Sequence, residues 1–375
     1  MAEDAYDARS INGIPVTGGH EIIREHTNEC MSSLQWLIRM DRVEENIRKL
    51  LDGRALDNCQ DLCDFTLEEQ NEATVAKGVA PTASPDYKPI VKSTVTYIAV
   101  GALVNENGEI LMMQEAKSSC AGKWYLPAGR IEPGEDITKT SIQKVLEETG
   151  LEMEPTTLLM VECASGAWFR FVLTGNNLLI SGGCFKTPKD ADSESLQAKW
   201  VKDPAELNLR ANDIYTIIEK AKSYQARRDE PWHSNMLPVL APQHKLLLRL
   251  VVCIREEEQV SVIRFYTSPC IFSFAVCEIN PTRNLHSTLK KFMTEIFGAD
   301  LPPHKPHGIL TVEHCGKPER TNDGLCFTIL VSFRKPLEEV GIIDKYTWLE
   351  ISKPLGDELL ERLPKNMTIP LHVIR

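Results

Sequence analysis

Apolar positions near the start of the chain recur at helical spacing, and from about residue 95 they change to strand-like runs. Leu34, Leu37, Ile38, Val43, Ile47, Leu50 and Leu51 are separated by Arg, Glu and Lys, which predicts an amphipathic helix within residues 28–70. Its apolar stripe must be buried, either on the chain's own core or on a partner. The Pro-containing stretch at 79–89, VAPTASPDYKP, has neither period and reads as a linker. VTYIAVGALV, a turn at Asn105–Gly108 and EILMMQEA then predict a β-hairpin. A loop and helix come next, then strand runs at 158–163, at 168–174 and up to Val201, and a helix near 213–226. This order predicts an α+β, mixed α/β fold.

A charged, Pro-containing segment at 224–243 interrupts the pattern, and the order of elements then recurs. LLLRLVVCIREEEQVSVIRF resembles the first hairpin, NLHSTLKKFMTEIFG the helix, and YTWLEISKPLGDELL resembles AKWVKDPAELNL. Either a tandem duplication or a coincidence of strand–helix–strand units explains this. A chain of 375 residues exceeds one ordinary core. The expected division is a helical region and linker at 1–92, an α/β domain at 93–226, a linker at 227–242 and a second α/β domain at 243–375. Opposite Glu147 and Glu148 the second copy has Glu295 and Ile296, so it is expected to be structural.

The chemistry concentrates between Gly129 and Leu151. Asp136 can cap a helix and Gly150 can end it, bounding it at about 137–149. Ile137, Ser141, Ile142, Val145 and Leu146 form a stripe expected to face the sheet, with Lys144, Glu147 and Glu148 together on another face. Two carboxylates so placed can hold a hard divalent cation. Gly129 and Gly134 allow a tight loop. Trp124 and Tyr125, just before it, suit either a base-stacking platform or the core.

The runs KWYLPAGRIEPGED and VLEETGL resemble the Nudix hydrolases, over about Val95–Ala221. QEAKSSCAGKWYLPAGRIEPGE, EPTTLLMVE, WFRFVL and DADSESLQAKW are similar to the subgroup acting on 8-oxo-guanine nucleoside diphosphates. ALDNCQDLCDFTLEEQ and the long C-terminal half are similar to it too. The resemblance implies a Nudix α/β/α sandwich with a mixed sheet, followed by a degenerate Nudix-like domain. It implies Mg²⁺ or Mn²⁺ held by Glu147, Glu148 and the Ala128 carbonyl, with Glu147 and Glu148 catalytic. It places Leu111 at the nucleotide, and Gly129, Glu135 and Gly150 in the frame of the box at 129–151. Its implied activity is hydrolysis of a nucleoside diphosphate derivative to monophosphate and phosphate.

The chain departs from the family where Arg-Glu is expected and Gln143 and Lys144 stand instead. Gln143 cannot make a charged fork with Glu135. Lys144 brings an ammonium to Glu147 and Glu148, as a built-in substitute for the metal, or it turns outward along its stem. The first case predicts a catalytically impaired nucleotide binder or scaffold. The second leaves an enzyme completed by another carboxylate, such as Glu115, Glu162 or Glu194; each also reads as an ordinary surface or strand-end carboxylate.

Composition narrows the partners. A net charge of −11 opposes binding to nucleic acid polymers or an anionic membrane. No leader or membrane-spanning run is evident, so a cytoplasmic protein is expected. Eleven scattered cysteines without a CxxC pair read as reduced thiols. His304 and His307 read as turn residues, and no phosphate-loop, nucleophile-elbow or HExxH pattern occurs.

Overall fold

The computed structural model describes residues 33–56, 63–177, 184–227, 232–268, 271–334, 336 and 339–374. Cys30, Cys59, Cys270 and the side chains of Leu34, Leu37 and Ile38 lie outside the described residues. The chain divides into two units, Met1–Arg42 and Val43–Arg375; of the first, only the start of helix α1 (Ser33–Leu51) is described. Every strand and every other described helix belongs to the second unit. In the second unit helix α2 (Leu67–Val75) follows the remainder of α1, its N-terminus capped by the Thr66 side chain on the Glu69 amide.

The alternating runs form strands, but their pairing differs from the hairpin expected at 95–116. β1 (Thr96–Gly101) lies between β6 (Trp168–Asn177), to which it is parallel, and β4 (Ala128–Arg130). With both edges of β1 taken, β2 (Ile110–Glu115) meets the first arm only at the Val104–Ile110 bridge. It pairs instead with β3 (Trp124–Tyr125) and β7 (Ser195–Val201). The turn itself is present, with Gly108 at φ 73°. β5 (Met153–Ser165) completes this half by pairing antiparallel with β6. Helix α3 (Ile137–Thr149) packs across β1, β4, β5 and β7.

The second half repeats the connectivity strand for strand. β8 (Leu246–Glu256) runs parallel to β13 (Leu325–Phe333) and antiparallel to β11 (Ala275–Glu278), and β13 pairs with β12 (His304–Glu313). β9 (Gln259–Ser268) pairs with β10 (Ile271–Ser273) and β14 (Tyr346–Ile351), as β2 pairs with β3 and β7. Here β8 and β9 do form a hairpin, turning at Glu257, so one seven-stranded sheet results. His304 and His307 lie on β12 rather than in a turn, and the His307 ring contacts the Leu363 carbonyl and Ser332 hydroxyl.

The two halves share one apolar core. Tyr97, Phe169 and Phe171 from β1 and β6 meet Leu248, Leu250 and Phe327 from β8 and β13, with the Phe169 and Phe327 rings 5.2 Å apart. A second core under helix α4 (Tyr215–Ala226) takes the opposite face of the first half: Val100, Met160, Val172 and Ile217. No described helix is long and apolar enough to cross a membrane. The described cysteines are all free.

Candidate functional site

Helix α3 has the predicted bounds. The Asp136 side chain accepts from the Lys139 amide at 2.8 Å, and Gly150 turns left-handed at φ 77°. Its buried face, however, is Ile137, Thr140, Ser141, Val145, Glu148 and Thr149, while Leu146 is 46% exposed. Glu148 is therefore buried along with the apolar stripe, whereas Lys144 and Glu147 are partly exposed, although the Lys144 charge still acts on Glu148. It is 1% exposed, and its Oε2 accepts from the Ala128 amide at 2.9 Å, across from the first residue of β4. Burial pushes the Glu148 carboxyl up to about 8, with the Ala128 amide and Lys117 opposing and the Glu115 charge adding to the rise.

Glu147 has different surroundings. Lys144 Nζ donates to its Oε2 and Gln143 Nε2 to its Oε1, both at 2.6 Å. Burial works against the carboxylate, but these two donors win and hold the Glu147 pKa below its usual value. The Lys144 stem lies on Gly129, where a Cβ would stand 2.5 Å from a lysine methylene. That close approach explains the glycine. Lys144 also comes within 4.0 Å of Glu194.

Of the other carboxylates, Glu115 is 1% exposed, takes Arg210 at 2.6 Å, and leaves its buried Oε2 without a partner. Glu162 lies elsewhere, bound to Arg170, which also reaches Tyr125 and Asp213. Trp124 and Tyr125 are core aromatics, each 7% exposed, with Lys199 over one ring and Arg210 over the other. Leu111 is fully buried in the shared core, opposite Trp200 on β7. The Glu135 carboxylate accepts from the Glu132 amide and the Thr140 hydroxyl, both at 3.1 Å.

A model of the NUDIX domain matches residues 95–213. The 8-oxo-dGDP phosphatase NUDT18 of Homo sapiens is 32% identical over 309 residues, which covers 78% of this chain and 92% of that protein. The 8-oxo-dGDP phosphatase NUDT18 of Danio rerio is 30% identical over 348 residues, 88% of this chain and 97% of that protein. A solved NUDIX hydrolase from Nitrosomonas europaea is 24% identical, covers 35% of this chain and 90% of its own, and has a TM-score of 0.29. The chain belongs to the Nudix hydrolases.

In this Nudix hydrolase the helix at 137–149 keeps the expected caps. Gln143 serves Glu147 rather than Glu135, and Lys144 neutralises one of the two box carboxylates. Among the described residues no three His, Cys, Asp or Glu side chains gather as a ready ligand set. Local pattern does not reveal Arg210, which fixes Glu115 from 95 residues away, nor Lys186, which donates to the Glu147 carbonyl at 2.9 Å.

The same place in the second half is filled. Helix α5 (Leu285–Phe297) has the length of α3 and runs between Asn284 and Gly298 as α3 does between Asp136 and Gly150. This sets Phe292 opposite Lys144, Ile296 opposite Glu148, and Val276 opposite Ala128. With the helix carboxylate gone, Asp64 supplies one: its Oδ2 accepts from the Val276 amide at 2.8 Å. Phe65 stacks on Phe292 at 6.2 Å, and Lys345 bonds both the Asp64 carbonyl and Glu295 at 3.1 Å. Burial pushes the Asp64 carboxyl up to about 8. The folded state therefore binds this proton more tightly than the unfolded chain, so stability falls as pH rises from about 4 to about 8 and then levels. Asp64→Asn keeps an acceptor for Val276 and removes that slope. Thermal melts should show parent and variant alike near pH 4 and the variant increasingly more stable toward pH 8; parallel curves would count against this account.

Proposed function

We propose that this Nudix hydrolase cleaves the phosphoanhydride of nucleoside diphosphates bearing an oxidised guanine, giving monophosphate and phosphate, with Mg²⁺ or Mn²⁺ at the box. The observation that carries the reading is Glu148, a buried carboxyl fixed on the Ala128 amide beside the box loop. The names of the two relatives, which match nearly their whole lengths, support the substrate class.

The residues fit a cation. In support of this, burial raises the Glu148 carboxyl to about 8, and Glu115, whose Oε1 takes Arg210, keeps a buried Oε2 without a hydrogen-bond partner among the described residues. Mg²⁺ commonly takes only one or two carboxylates and fills its remaining positions with water and phosphate, so no larger cluster is required. Glu147, Glu148 and the Ala128 carbonyl would hold it. When bound, such an ion neutralises diphosphate charge and makes a nucleophile of a water at neutral pH. The chain's own residues do the rest: Ala128 and Ser195 fix the side chain and backbone of Glu148, and Arg210 orients Glu115. Lys144 exchanges Glu147 for a phosphate oxygen when the diphosphate arrives.

Phosphate release from a panel of nucleoside diphosphates, with either metal, tests the reading; preferred turnover of 8-oxo-dGDP over dGDP is expected. The ion pair between Lys144 and Glu147 favours a second reading, an impaired binder. No turnover by the parent, together with turnover by the Gln143→Arg, Lys144→Glu double variant, would establish that reading instead. Lys144→Glu alone replaces a cation with a ligand, and by calorimetry it should bind Mn²⁺ about tenfold tighter or more. Unchanged affinity would place Lys144 outside the metal's surroundings.

A further inference from the structure

The box loop is held from outside by the second half. Between β12 and β13 the chain makes a braced loop at 314–324: the Gly316 amide donates to the Asn322 carbonyl at 3.1 Å, the Asn322 side chain donates to the Lys317 carbonyl at 2.5 Å, and the Arg320 amide donates to Asp323. Asp323 clamps this loop to the first half, where its Oδ2 accepts from the Val91 amide and its carbonyl from the Tyr97 hydroxyl, both at 2.8 Å. His314 packs edge-on to Tyr97 at 5.1 Å and lies beside the Glu135 backbone.

Two contacts then reach the box loop directly. A Cβ on Gly316 would stand 2.6 Å from the Glu135 carbonyl oxygen, and one on Gly134 would stand 2.9 Å from Glu319 Oε1. Gly316 and Gly134 both have left-handed φ, at 70° and 80°, so both sides of this contact need glycine for conformation and for space. Meanwhile the Glu135 carboxylate has no cationic partner among the described residues; its bonds to Glu132 and Thr140 stay within the loop and its helix. Lys92 pairs with Glu132 at the start of the loop, while at its Glu135 end the partners are neutral and the brace from 314–324 bears on the backbone.

We propose that residues Cys315–Asp323 of the second half are a strap that positions the Glu132–Glu135 loop, and through it the Ala128 end of the site, for the hydrolysis proposed above. The inference rests on that function for its kinetic consequence but not for its structural one. It gives the non-catalytic half a part in the reaction through positioning residues, chiefly Gly316 and Glu319.

Gly316→Ala drives a methyl against the Glu135 carbonyl, and Glu319→Ala removes the contact on Gly134 from an exposed position. Both should raise hydrogen exchange at the Glu132 and Glu135 amides without changing exchange in β13. On nucleoside diphosphate, Gly316→Ala should lower kcat by about tenfold to a hundredfold with KM changed far less, as expected when reacting groups are misplaced by a fraction of an ångström to an ångström. An arginine at 143, three residues beyond Thr140 on the helix, would offer the Glu135 carboxylate a cationic partner. Adding Gln143→Arg to Gly316→Ala should therefore restore most of the lost kcat and quiet the loop exchange. Unchanged exchange in both single variants overturns the strap. So does a kcat loss that Gln143→Arg leaves in place. Failure of the parent to hydrolyse any diphosphate overturns the proposed function alone, because the exchange measurement still reads the strap.

Discussion

Glu148→Gln should lower kcat for nucleoside diphosphate hydrolysis roughly a hundredfold or more, the loss expected when charge stabilisation worth about 3 kcal/mol disappears. The substitution isolates charge from shape. A glutamine carbonyl still accepts from the Ala128 amide, which now donates to Glu148 at 2.9 Å, and the volume at this fully buried place is unchanged. Because burial already disfavours the charged carboxylate, the neutral amide should leave the melting temperature equal or higher. Activity and stability therefore move in different directions, which a folding defect does not produce. Steady-state phosphate release and a thermal melt of the same preparation decide the matter. Turnover within a factor of two of the parent would remove Glu148 from the chemistry.

That residue also shows where sequence reading stopped. Caps are local, so Asp136 and Gly150 bounded the helix correctly. Its buried face depends on what packs against it. Choosing Leu146 over Glu148 as the inward residue follows hydrophobicity, yet the fold turns Leu146 out and seats the carboxylate on a strand amide. The hairpin expected at 95–116 failed for a similar reason. Alternation specifies a strand but not its partner, and β6 and β4 occupy both edges of β1. Arg210 on Glu115 and Asp64 on Val276 join residues far apart in the chain, so no spacing announces them.

The repeated order of elements was legible because periodicity and caps recur in both halves, but the exchange of roles between them was not. In the first half a helix carboxylate meets the strand amide of Ala128 and leaves Glu115 beside it. In the second, Ile296 withdraws the carboxylate, Asp64 replaces it from the N-terminal segment, and aromatic rings close over the place. The two places are alike in electrostatics, since burial raises Glu148 and Asp64 each to about 8, and Glu115 Oε2 and Asp64 Oδ1 are left without a hydrogen-bond partner among the described residues; they differ in the aromatic rings packed at the second.

Arg249→Met should destabilise the chain by about 3–5 kcal/mol, the usual consequence of removing one member of a buried ion pair. Strand pairing puts Arg249 on β8 where β1 has Val100, and puts Thr328 and Thr311 where the first half has Val172 and Met160. An apolar patch in one half is therefore a polar network in the other. Arg249 and Glu313 are each 2% exposed at their side chains; Arg249 Nη1 reaches Glu313 Oε1 at 2.6 Å and Thr328 at 3.0 Å, and Gln243 donates to Glu313 Oε2 at 2.7 Å. Methionine fills most of the volume but strands the Glu313 charge in a dry interior. Adding Glu313→Leu removes that stranded charge, and since apolar replacement of a whole buried pair is often neutral or better, the double variant should recover most of the loss. Urea denaturation of the four members of this cycle measures the coupling. If Arg249→Met costs less than about 1 kcal/mol, or if the double variant is worse than either single one, the pair does not hold this face of the sheet, and packing of its neighbours does.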